Sequence, residues 1–413
     1  MKKQMIFACA TFAAVNGLFA LTVTDVTARQ RWPWNSLVDV DFTVNGAKGE
    51  AYSVDIDAVA GGGITSLVAR TFVTEPIAAT GKNRVVWNLG ADYPDFRTDD
   101  LKVTVTITPF SDVTPVYLVV DLSNGANAAT YPVRYTTTAP VHTAGQNDPC
   151  KTSELWLKRV KAGTIQMGGG TDGYPVHTCT LTNDFYLGVF PLTWGQYVNI
   201  GDGVNSVWAP QFFTNEAYRT TRPLDRLRFD VVRDSKYLCP NDSEIYSDSI
   251  LKRLRNRTGL GFDLPTEWQW EYAARAGSTK SKVPTSQHRA KSEPNEDYEY
   301  YEEKGMWSVE YGTFYVDAHS PNDWGFYSMV GNVRQWCINR KMTITEGDVL
   351  LEPMGADADG QTRPRMVKGV DWTRGETYRT YGWRTGLDSW NVVTESNVIG
   401  ARVCLTIKKE ESK

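Results

Sequence analysis

The residues of this chain that are best suited to chemistry are its cysteines and histidines, and both types are sparse. The 413 residues include six cysteines and four histidines. Thiolates bind Cu(I) and zinc, whereas neutral imidazoles bind zinc, iron and copper. No two cysteines show the C-x-x-C spacing of a zinc or redox site, and none occurs between Cys337 and Cys404. This spacing argues against a structural zinc site.

The first twenty residues, MKKQMIFACATFAAVNGLFA, have the pattern of a cleavable secretory signal. Two lysines precede an apolar stretch that ends at the small residue Ala20, and this stretch is too short to span a bilayer. We therefore predict a periplasmic or secreted protein that is not inserted in a membrane. In an oxidising compartment, the five cysteines after Cys9 predict one or two disulfides and at least one thiol left over.

The composition narrows the range of partners. The net charge of −4 and the lack of a long basic run argue against nucleic acid, because phosphate binding requires clustered Lys and Arg. The chain is rich in large aromatic residues, with 14 Trp and 20 Tyr. Two explanations stay open: some of these rings line a binding surface, or a β-rich protein uses them in its core.

Two domains are expected from the length and from a change of pattern along the chain. Residues 21–138 contain seven or eight short segments with β-type alternation, and Asn45-Gly46 is a hairpin-type turn, so we predict an all-β sandwich of immunoglobulin-like or fibronectin-like type. The predicted segments are a signal peptide at 1–20, the sandwich at 21–138, a polar linker at 139–154, a second domain at 155–408 and a charged tail at 409–413.

Helix starts in the second domain can be predicted from local signals. Thr193 and Thr266 are each followed three positions later by a glutamine, which is the pattern of a capping box. A third helix is expected over ILKRLRNR, just before Thr258-Gly259. These signals predict three short helices among many loops.

Several motifs of the second domain resemble those of the formylglycine-generating enzyme, or sulfatase-modifying factor, family. They occur in the family's order between about Leu155 and Ile407: GTIQMGGG, YPVHTCTLTNDFYLGVFPLTWGQYV, GFDLPTEWQWEYAARAG, PNDWGFYSMVGNVRQWCINR, MVKGVDW and NVIGARVCL. The resemblance implies an α+β domain with a variant of the C-type lectin fold. It also implies an oxidation in which a cysteine pair binds Cu(I) and a sulfatase cysteine becomes formylglycine.

The copper site is the point where this sequence departs from the family. Alignment of the family's Gly-Gly-Ser-aromatic stretch with Gly369–Trp372 puts Arg374 and Arg379 on the two cysteine positions. A guanidinium has no lone pair for a metal and stays charged near neutral pH. Iron-dependent relatives need a histidine triad, and the histidines here are widely spread. We therefore expect neither copper nor iron as a cofactor.

Calcium is the one metal that the resemblance keeps open. The GNVRQW segment is similar to a family loop that holds Ca²⁺ through an Asn side chain and backbone carbonyls, and Asn332 and Val333 match that loop. The next two residues of the family pattern, an aromatic residue and a Glu, are replaced by Arg334 and Gln335. Because a nearby guanidinium opposes a divalent cation, a self-satisfied turn is the alternative to a calcium site.

Two polar features have both structural and chemical interpretations. Glu267, Glu271 and Arg275 share a helical face, which favours an ordinary surface ion pair over catalytic carboxylates. His177 lies alone on a strand-like stretch, where a satisfied structural histidine is favoured over a metal ligand. Neither feature predicts catalysis by itself.

The loop that replaces the cysteine pair has the composition of a recognition surface. Rigid aromatic residues and arginines alternate there with small polar residues. The candidate binding residues are Trp372, Arg374, Tyr378, Arg379, Tyr381, Trp383, Arg384 and Trp390. We expect Arg374, Arg379, Tyr378 and Trp390 to be the exposed members, and a core role is the alternative for Trp372, Tyr381 and Trp383.

Together these observations predict an exported binding module without the copper cysteines. A protein or a glycan is the expected ligand, because aromatic rings and guanidinium groups serve both. A formylglycine-generating or other metal-dependent oxidase is the alternative that the resemblance keeps open.

Overall fold

A computed structural model describes residues 6–7, 21–31, 35–63, 65–110, 116–170, 172–201, 219–233, 248–287, 313–352, 364–372, 374, 376–387 and 398–407. The chain forms two compact units. The first comprises Met1–Val119 and Val133–Ala139, and the second comprises Val120–Pro132 and Pro140–Lys413. Among the described residues, no helix combines the length and apolar character needed to cross a bilayer.

Regular structure in the first unit is mainly β. A 3-10 turn at Gly61–Gly63 and a four-residue helix at Leu89–Asp92 are its helical elements within the described residues. The strands are Ile6–Phe7, Thr22–Gln30, Leu37–Asn45, Ala51–Ala60, Thr65–Val68, Thr71–Phe72, Ile77–Ala79, Gly81–Asn88, Lys102–Pro109 and Val133–Thr136. The strand Tyr117–Asp121 spans the end of this unit's first stretch at Val119. The prediction of an all-β N-terminal domain is confirmed at this level.

Two antiparallel sheets build this unit. In the first sheet, the order is Ile6–Phe7, Thr22–Gln30, Leu37–Asn45, Gly81–Asn88, Thr71–Phe72 and Val133–Thr136; in the second, Ala51–Ala60 pairs with Thr65–Val68, Ile77–Ala79 and Lys102–Pro109. Asn45-Gly46 therefore joins strands of different sheets, so its prediction as a hairpin-type turn is wrong. A local turn signal does not specify which strands will pair.

The core of the first unit follows the two-residue period of its strands. In Ala51–Ala60, the side chains of Val54, Ile56 and Ala58 are buried, whereas Asp55 and Asp57 point to the other face. This alternation places apolar residues on the inner side of the sheet and acids on the outer side.

The second unit combines short strands and helices. Its strands are Glu154–Val160, Thr164–Met167, His177–Thr180, Phe185–Gly188, Arg334–Arg340, Val349–Leu351, Arg365–Lys368, Arg384–Leu387, Ile399–Gly400 and Cys404–Thr406. Within its described residues, the α-helices are Trp194–Ile200, Phe229–Val232, Ile250–Thr258 and Glu267–Arg275, and 3-10 turns occur at Pro149–Lys151, Thr285–Gln287 and Glu376–Tyr378. The three predicted helices are confirmed, and both capping boxes are present.

One small sheet of this unit positions the residues considered below. Its order is Arg384–Leu387, Arg365–Lys368, Arg334–Arg340 and Ile399–Gly400. Lys368 lies opposite Arg384 on one side and opposite Gln335 on the other. This register brings two cations from neighbouring strands to the same end of the sheet.

Candidate functional site

The helix Glu267–Arg275 is the element around which the candidate site is organised. Thr266 Oγ1 accepts a hydrogen bond from Gln269 N at 3.0 Å, and Gln269 Oε1 accepts one from Thr266 N at 2.9 Å. These bonds satisfy free donors in the first turn and fix where the helix begins. The helix then buries both tryptophans, Trp268 and Trp270.

A charged network lies inside the domain, against this helix. Glu271 Oε2 lies 2.6 Å from Lys368 Nζ, and Glu271 Oε1 lies 2.7 Å from Arg275 Nη2. Gly168 N also donates to Glu271 Oε1 at 2.7 Å. Burial alone raises the pKa of Glu271, but Lys368 and Arg275 outweigh it and hold the pKa at about 2. The carboxylate is therefore ionised and has several donors.

A second buried pair extends the network. Arg384 Nε donates to Glu267 Oε2 at 2.9 Å, and the Arg384 guanidinium lies over the Tyr174 ring at 3.4 Å from its centroid. The prediction of an ordinary surface ion pair on this helix is wrong, because Glu267, Glu271 and Arg275 are at most 3% exposed. The side chain of Arg384, a predicted binding residue, is likewise buried.

His177 lies beside the same helix and is only half satisfied. Its Nδ1 is 2.8 Å from the Pro175 carbonyl oxygen, whereas the buried Nε2 has no hydrogen-bond partner among the described residues. The ring packs edge-on against Tyr174 and Trp268. Burial lowers the pKa of His177, so the neutral imidazole is favoured. These contacts favour a structural histidine.

The loop predicted to bind a partner is mostly packed inward. Trp372, Tyr381 and Trp383 are buried, as the core alternative expects. Arg379 was expected to be exposed, and this expectation is wrong because the residue is 1% exposed. The outward-facing candidates are Arg374, which is exposed, and Tyr378, which is half-buried. Trp390 lies outside the described residues.

Arg374 and Arg379, the two arginines that the sequence comparison predicts at the family's cysteine positions, are joined by a hydrogen bond. Arg379 Nη2 donates to the Arg374 carbonyl oxygen at 3.1 Å. The guanidinium carbon of Arg374 lies 5.4 Å from the centroid of the Tyr378 ring, a cation–π distance. Neither side chain offers a lone pair, so these residues do not fit a Cu(I) site.

The predicted calcium residues form a closed turn. Asn332 Oδ1 accepts from Phe314 N at 2.9 Å, and Asn332 Nδ2 donates to the Phe314 carbonyl oxygen at 3.0 Å. Val333 is fully buried. The next residue, Arg334, pairs with Asp371 at 2.6 Å. These contacts favour the self-satisfied turn. Within the described ranges, no group of three or more His, Cys, Asp or Glu side chains is placed to hold a metal ion.

The cysteines covered by the structure are all buried free thiols. They are Cys150, Cys179, Cys337 and Cys404. The expected disulfides are thus absent among these four, and Cys239 lies outside the described residues. Burial raises the pKa of Cys337 and Cys404 well above the usual value for a thiol, so both stay protonated near neutral pH.

A second buried polar cluster, centred on Asp317, was not predicted from the sequence. The buried Asp317 carboxylate accepts hydrogen bonds from Lys151 Nζ at 2.9 Å and from Gly145 N at 3.2 Å, and it lies 2.8 Å from His142 Nδ1. These contacts tie part of the predicted linker to the second unit. No sequence signal relates the partners, because 166 residues separate Lys151 from Asp317.

Comparison with known proteins identifies the class of the second domain. The sulfatase-modifying factor enzyme 1-like domain family matches residues 147–407, which is more than half of the chain. The chain belongs to this family.

Individual relatives are similar over shorter stretches. The formylglycine-generating enzyme of Bos taurus is 27% identical over 150 residues, which is 34% of this chain and 37% of the relative. The mouse (Mus musculus) enzyme of the same name is 35% identical over 146 residues, again 34% of this chain and 37% of the relative. The chain therefore spans well under half the length of these relatives. Treponema denticola variable protein 1 aligns with a TM-score of 0.45 at 20% identity, covering 65% of this chain and 99% of that structure.

Proposed function

We propose that this chain is an exported binding protein whose sulfatase-modifying-factor-like domain does not carry out copper-dependent oxidation. The observation that carries the proposal is that no cysteine occurs between Cys337 and Cys404, where we predict Arg374 and Arg379 at the positions of the copper cysteines. Guanidinium groups cannot replace thiolates as Cu(I) ligands, since they lack a lone pair and remain charged. The domain thus keeps its architecture without this reaction.

The two cysteines on either side of this cysteine-free stretch support the proposal. Cys337 Sγ is 3.8 Å from the Gln335 carbonyl oxygen, and Cys404 Sγ is 3.6 Å from Gln269 Oε1. Both side chains are at most 1% exposed, and burial raises both pKa values. A protonated thiol without solvent access is a poor substitute for a reactive thiolate pair.

The proposed binding surface is formed by the outward-facing residues of the loop that contains Arg374 and Arg379. We call the Arg374 guanidinium and the Tyr378 ring the Arg374–Tyr378 surface. An exposed guanidinium over a half-buried ring combines a fixed charge with a rigid apolar contact, and Arg and Tyr are enriched where proteins bind partners. A protein or a glycan is the ligand class that this composition serves.

The first unit and the signal segment complete the proposal. Two antiparallel sheets with apolar side chains on one face are compatible with an immunoglobulin-like or fibronectin-like sandwich. The cationic, then apolar residues 1–20 support export to the periplasm or beyond. The alternative function is the oxidation that the relatives' name describes, formylglycine generation.

Copper and aldehyde measurements test the proposal. The purified mature protein is loaded with Cu(I) under reducing conditions, and bound copper is measured by mass spectrometry. In parallel, a sulfatase-type cysteine peptide is incubated with the protein in air and examined for an aldehyde. We expect no stoichiometric copper and no aldehyde. Either signal at one equivalent or with turnover contradicts the proposal.

A matched variant shows that the copper assay can detect a site in this fold. The double variant Arg374→Cys/Arg379→Cys restores the residue types of the family at both positions. We expect it to retain more Cu(I) than the parent protein. The variant Cys337→Ser/Cys404→Ser should leave the copper content of the parent unchanged, because both thiols are buried and protonated.

A further inference from the structure

The Arg374–Tyr378 surface carries a charge that is held in place but not neutralised. Arg374 is exposed, and among the described side chains no carboxylate forms an ion pair with it. Its guanidinium lies against the Tyr378 ring, 5.4 Å from the centroid. Stacking of this kind restricts the side chain while the N–H groups at the guanidinium edge remain available. This geometry leaves the edge of the Arg374 guanidinium open to an anion.

The same loop contains other donors without acceptors. Trp383 Nε1 and Thr380 Oγ1 are buried and have no hydrogen-bond partner among the described residues. An indole N–H can only donate, and a buried donor without an acceptor costs about 1–3 kcal/mol. The loop therefore offers more donors than the surrounding described residues accept.

The Asp371 carboxylate accepts no hydrogen bond from Trp383 Nε1 or Thr380 Oγ1. Asp371 Oδ2 lies 2.6 Å from Arg334 Nε, so its charge is already matched. Arg334 in turn lies over the Trp383 ring, 5.2 Å from its centroid. Asp371 is thus the partner of Arg334, and Arg374 is exposed with no ion pair to a carboxylate among the side chains that the structure describes.

The arrangement of the rings discriminates between a sugar and a peptide. A sugar ring binds by stacking on an open aromatic face, but Arg374 covers one face of Tyr378. The other described aromatic residues of the predicted surface, Trp372, Tyr381 and Trp383, are buried. Among the described members of this surface, the exposed side chain is the Arg374 guanidinium, whose planar fork matches a carboxylate.

We infer that this surface receives a carboxylate of a protein partner, supplied by an Asp or Glu side chain in an acidic segment. The inference rests on the proposed function and names its ligand chemistry. Arg374 makes the contact with the carboxylate, Tyr378 holds the guanidinium, and Arg379 fixes the Arg374 backbone through the hydrogen bond to its carbonyl oxygen.

Peptide probes test the inference on the full mature protein. A labelled peptide with alternating Gly and Glu is titrated in parallel with the same peptide carrying Gln, and binding is followed by fluorescence anisotropy at low and high salt. We expect the Glu peptide to bind, the Gln peptide not to bind, and salt to weaken the complex. Failure of the Glu peptide to bind overturns the inference.

Variants locate the contact. Arg374→Ala should weaken binding of the Glu peptide about tenfold or more, because a charge-assisted hydrogen bond is lost. Arg374→Lys should restore only part of it, since an ammonium lacks the planar fork. Arg97→Ala, which removes an exposed arginine of the first unit, is the matched control and should bind normally. Equal binding by the Arg374→Ala and Arg97→Ala variants overturns the inference.

Two further measurements separate this inference from the proposed function. A heparin fragment that binds through Arg374 when the Glu peptide does not would assign a sulfated glycan as the partner and overturn the inference. In that case, or if nothing binds, the copper and aldehyde measurements still decide whether the domain is an oxidase. A positive aldehyde assay would instead remove the proposed function itself.

Discussion

Two groups of cations in the second unit differ in what surrounds them. Lys368, Arg275 and Arg384 lie inside the domain, and each contacts a glutamate of the helix Glu267–Arg275 at 2.6–2.9 Å. Arg374 lies between Lys368 and Arg384 in sequence, yet it is exposed and stacks on Tyr378. The first group is paired with carboxylates of the protein itself, whereas the carboxylate that we propose for Arg374 belongs to a partner.

The difference shows that residue type alone does not identify a recognition residue. Arg384 and Arg374 both belong to the predicted binding loop, and both are arginines beside aromatic rings. Their roles diverge because Arg384 lies on a strand opposite Lys368, which turns it toward Glu267. Burial with a counter-charge marks a structural cation, and exposure without one marks a candidate contact.

Removal of one buried partner is the strongest test of this contrast. The substitution Glu271→Gln leaves Lys368 and Arg275 without their carboxylate inside the domain. We expect a loss of about 3–5 kcal/mol in the free energy of unfolding, measured by urea denaturation with tryptophan fluorescence. The half-exposed pair Asp41–Arg84 is the control, where Asp41→Asn should cost about 0–1 kcal/mol.

Glu271 should also make the free energy of unfolding decrease at acid pH. The pKa of Glu271 falls from 4.5 to about 2 in the folded protein. Its contribution to stability is therefore complete above about pH 4.5 and is lost as the pH falls toward 2. Glu271→Gln should reduce this acid-induced loss. If the parent and the variant lose stability equally between these pH values, the network does not carry the charge assigned to it.

Asp225 is a buried acid whose effect on the pH dependence of stability should have the opposite sign to that of Glu271. Burial raises the pKa of Asp225 to about 7, and Asp225 Oδ1 accepts a hydrogen bond from Trp194 Nε1 at 3.2 Å. The neutral acid is favoured in the folded state, so its contribution to stability is complete below about pH 4 and is lost as the pH rises through 7.

The Asp225→Asn substitution measures this effect. The amide oxygen retains the acceptor for Trp194, but the titration disappears. We expect the variant to gain on the parent by on the order of a few kcal/mol between pH 4 and pH 8, measured as the difference in free energy of unfolding. A difference that stays constant over this range would show that Asp225 is already ionised at pH 4.

The parts of the fold that were predictable from sequence are those with local causes. Thr193 with Gln196 and Thr266 with Gln269 specify helix starts within four residues, and both helices are present. The family motifs specified the domain because their order along the chain is itself a strong signal. The all-β character of the first unit followed from the alternation within single strands.

The site could be predicted only in part because its contacts are distant in sequence. Glu267 and Glu271 resemble a surface pair until Arg384 and Lys368 are brought in from 117 and 97 residues away. One signal was present: Lys368 follows two apolar residues in a strand, and a lysine there indicates a buried cation that needs a carboxylate. Asp317 offered no comparable signal.

Asn332 is a neutral side chain whose polar groups, like those of the buried cations, are paired within the protein. Its amide bonds the backbone of Phe314 at both ends, so Asn332→Ala should cost about 1–3 kcal/mol whether or not calcium is present. If this turn were a calcium site, calcium at 100 times its dissociation constant would raise the free energy of unfolding by about 2.7 kcal/mol. We expect no such gain when thermal unfolding is measured with millimolar calcium and with a chelator. A calcium-dependent rise in Tm that Asn332→Ala abolishes would establish a calcium site.

The smallest expected effect on stability separates the two arginines of the loop. Arg374→Ala removes an exposed side chain that forms no ion pair with the described residues, so the free energy of unfolding should change by less than about 0.5 kcal/mol. Arg384→Ala leaves Glu267 buried without its guanidinium and should cost several times more. Both are measured by the same urea titration, and the Glu peptide is then offered to each folded variant. Loss of stability in Arg374→Ala as large as in Arg384→Ala would place Arg374 with the structural cations and remove the basis for a partner contact.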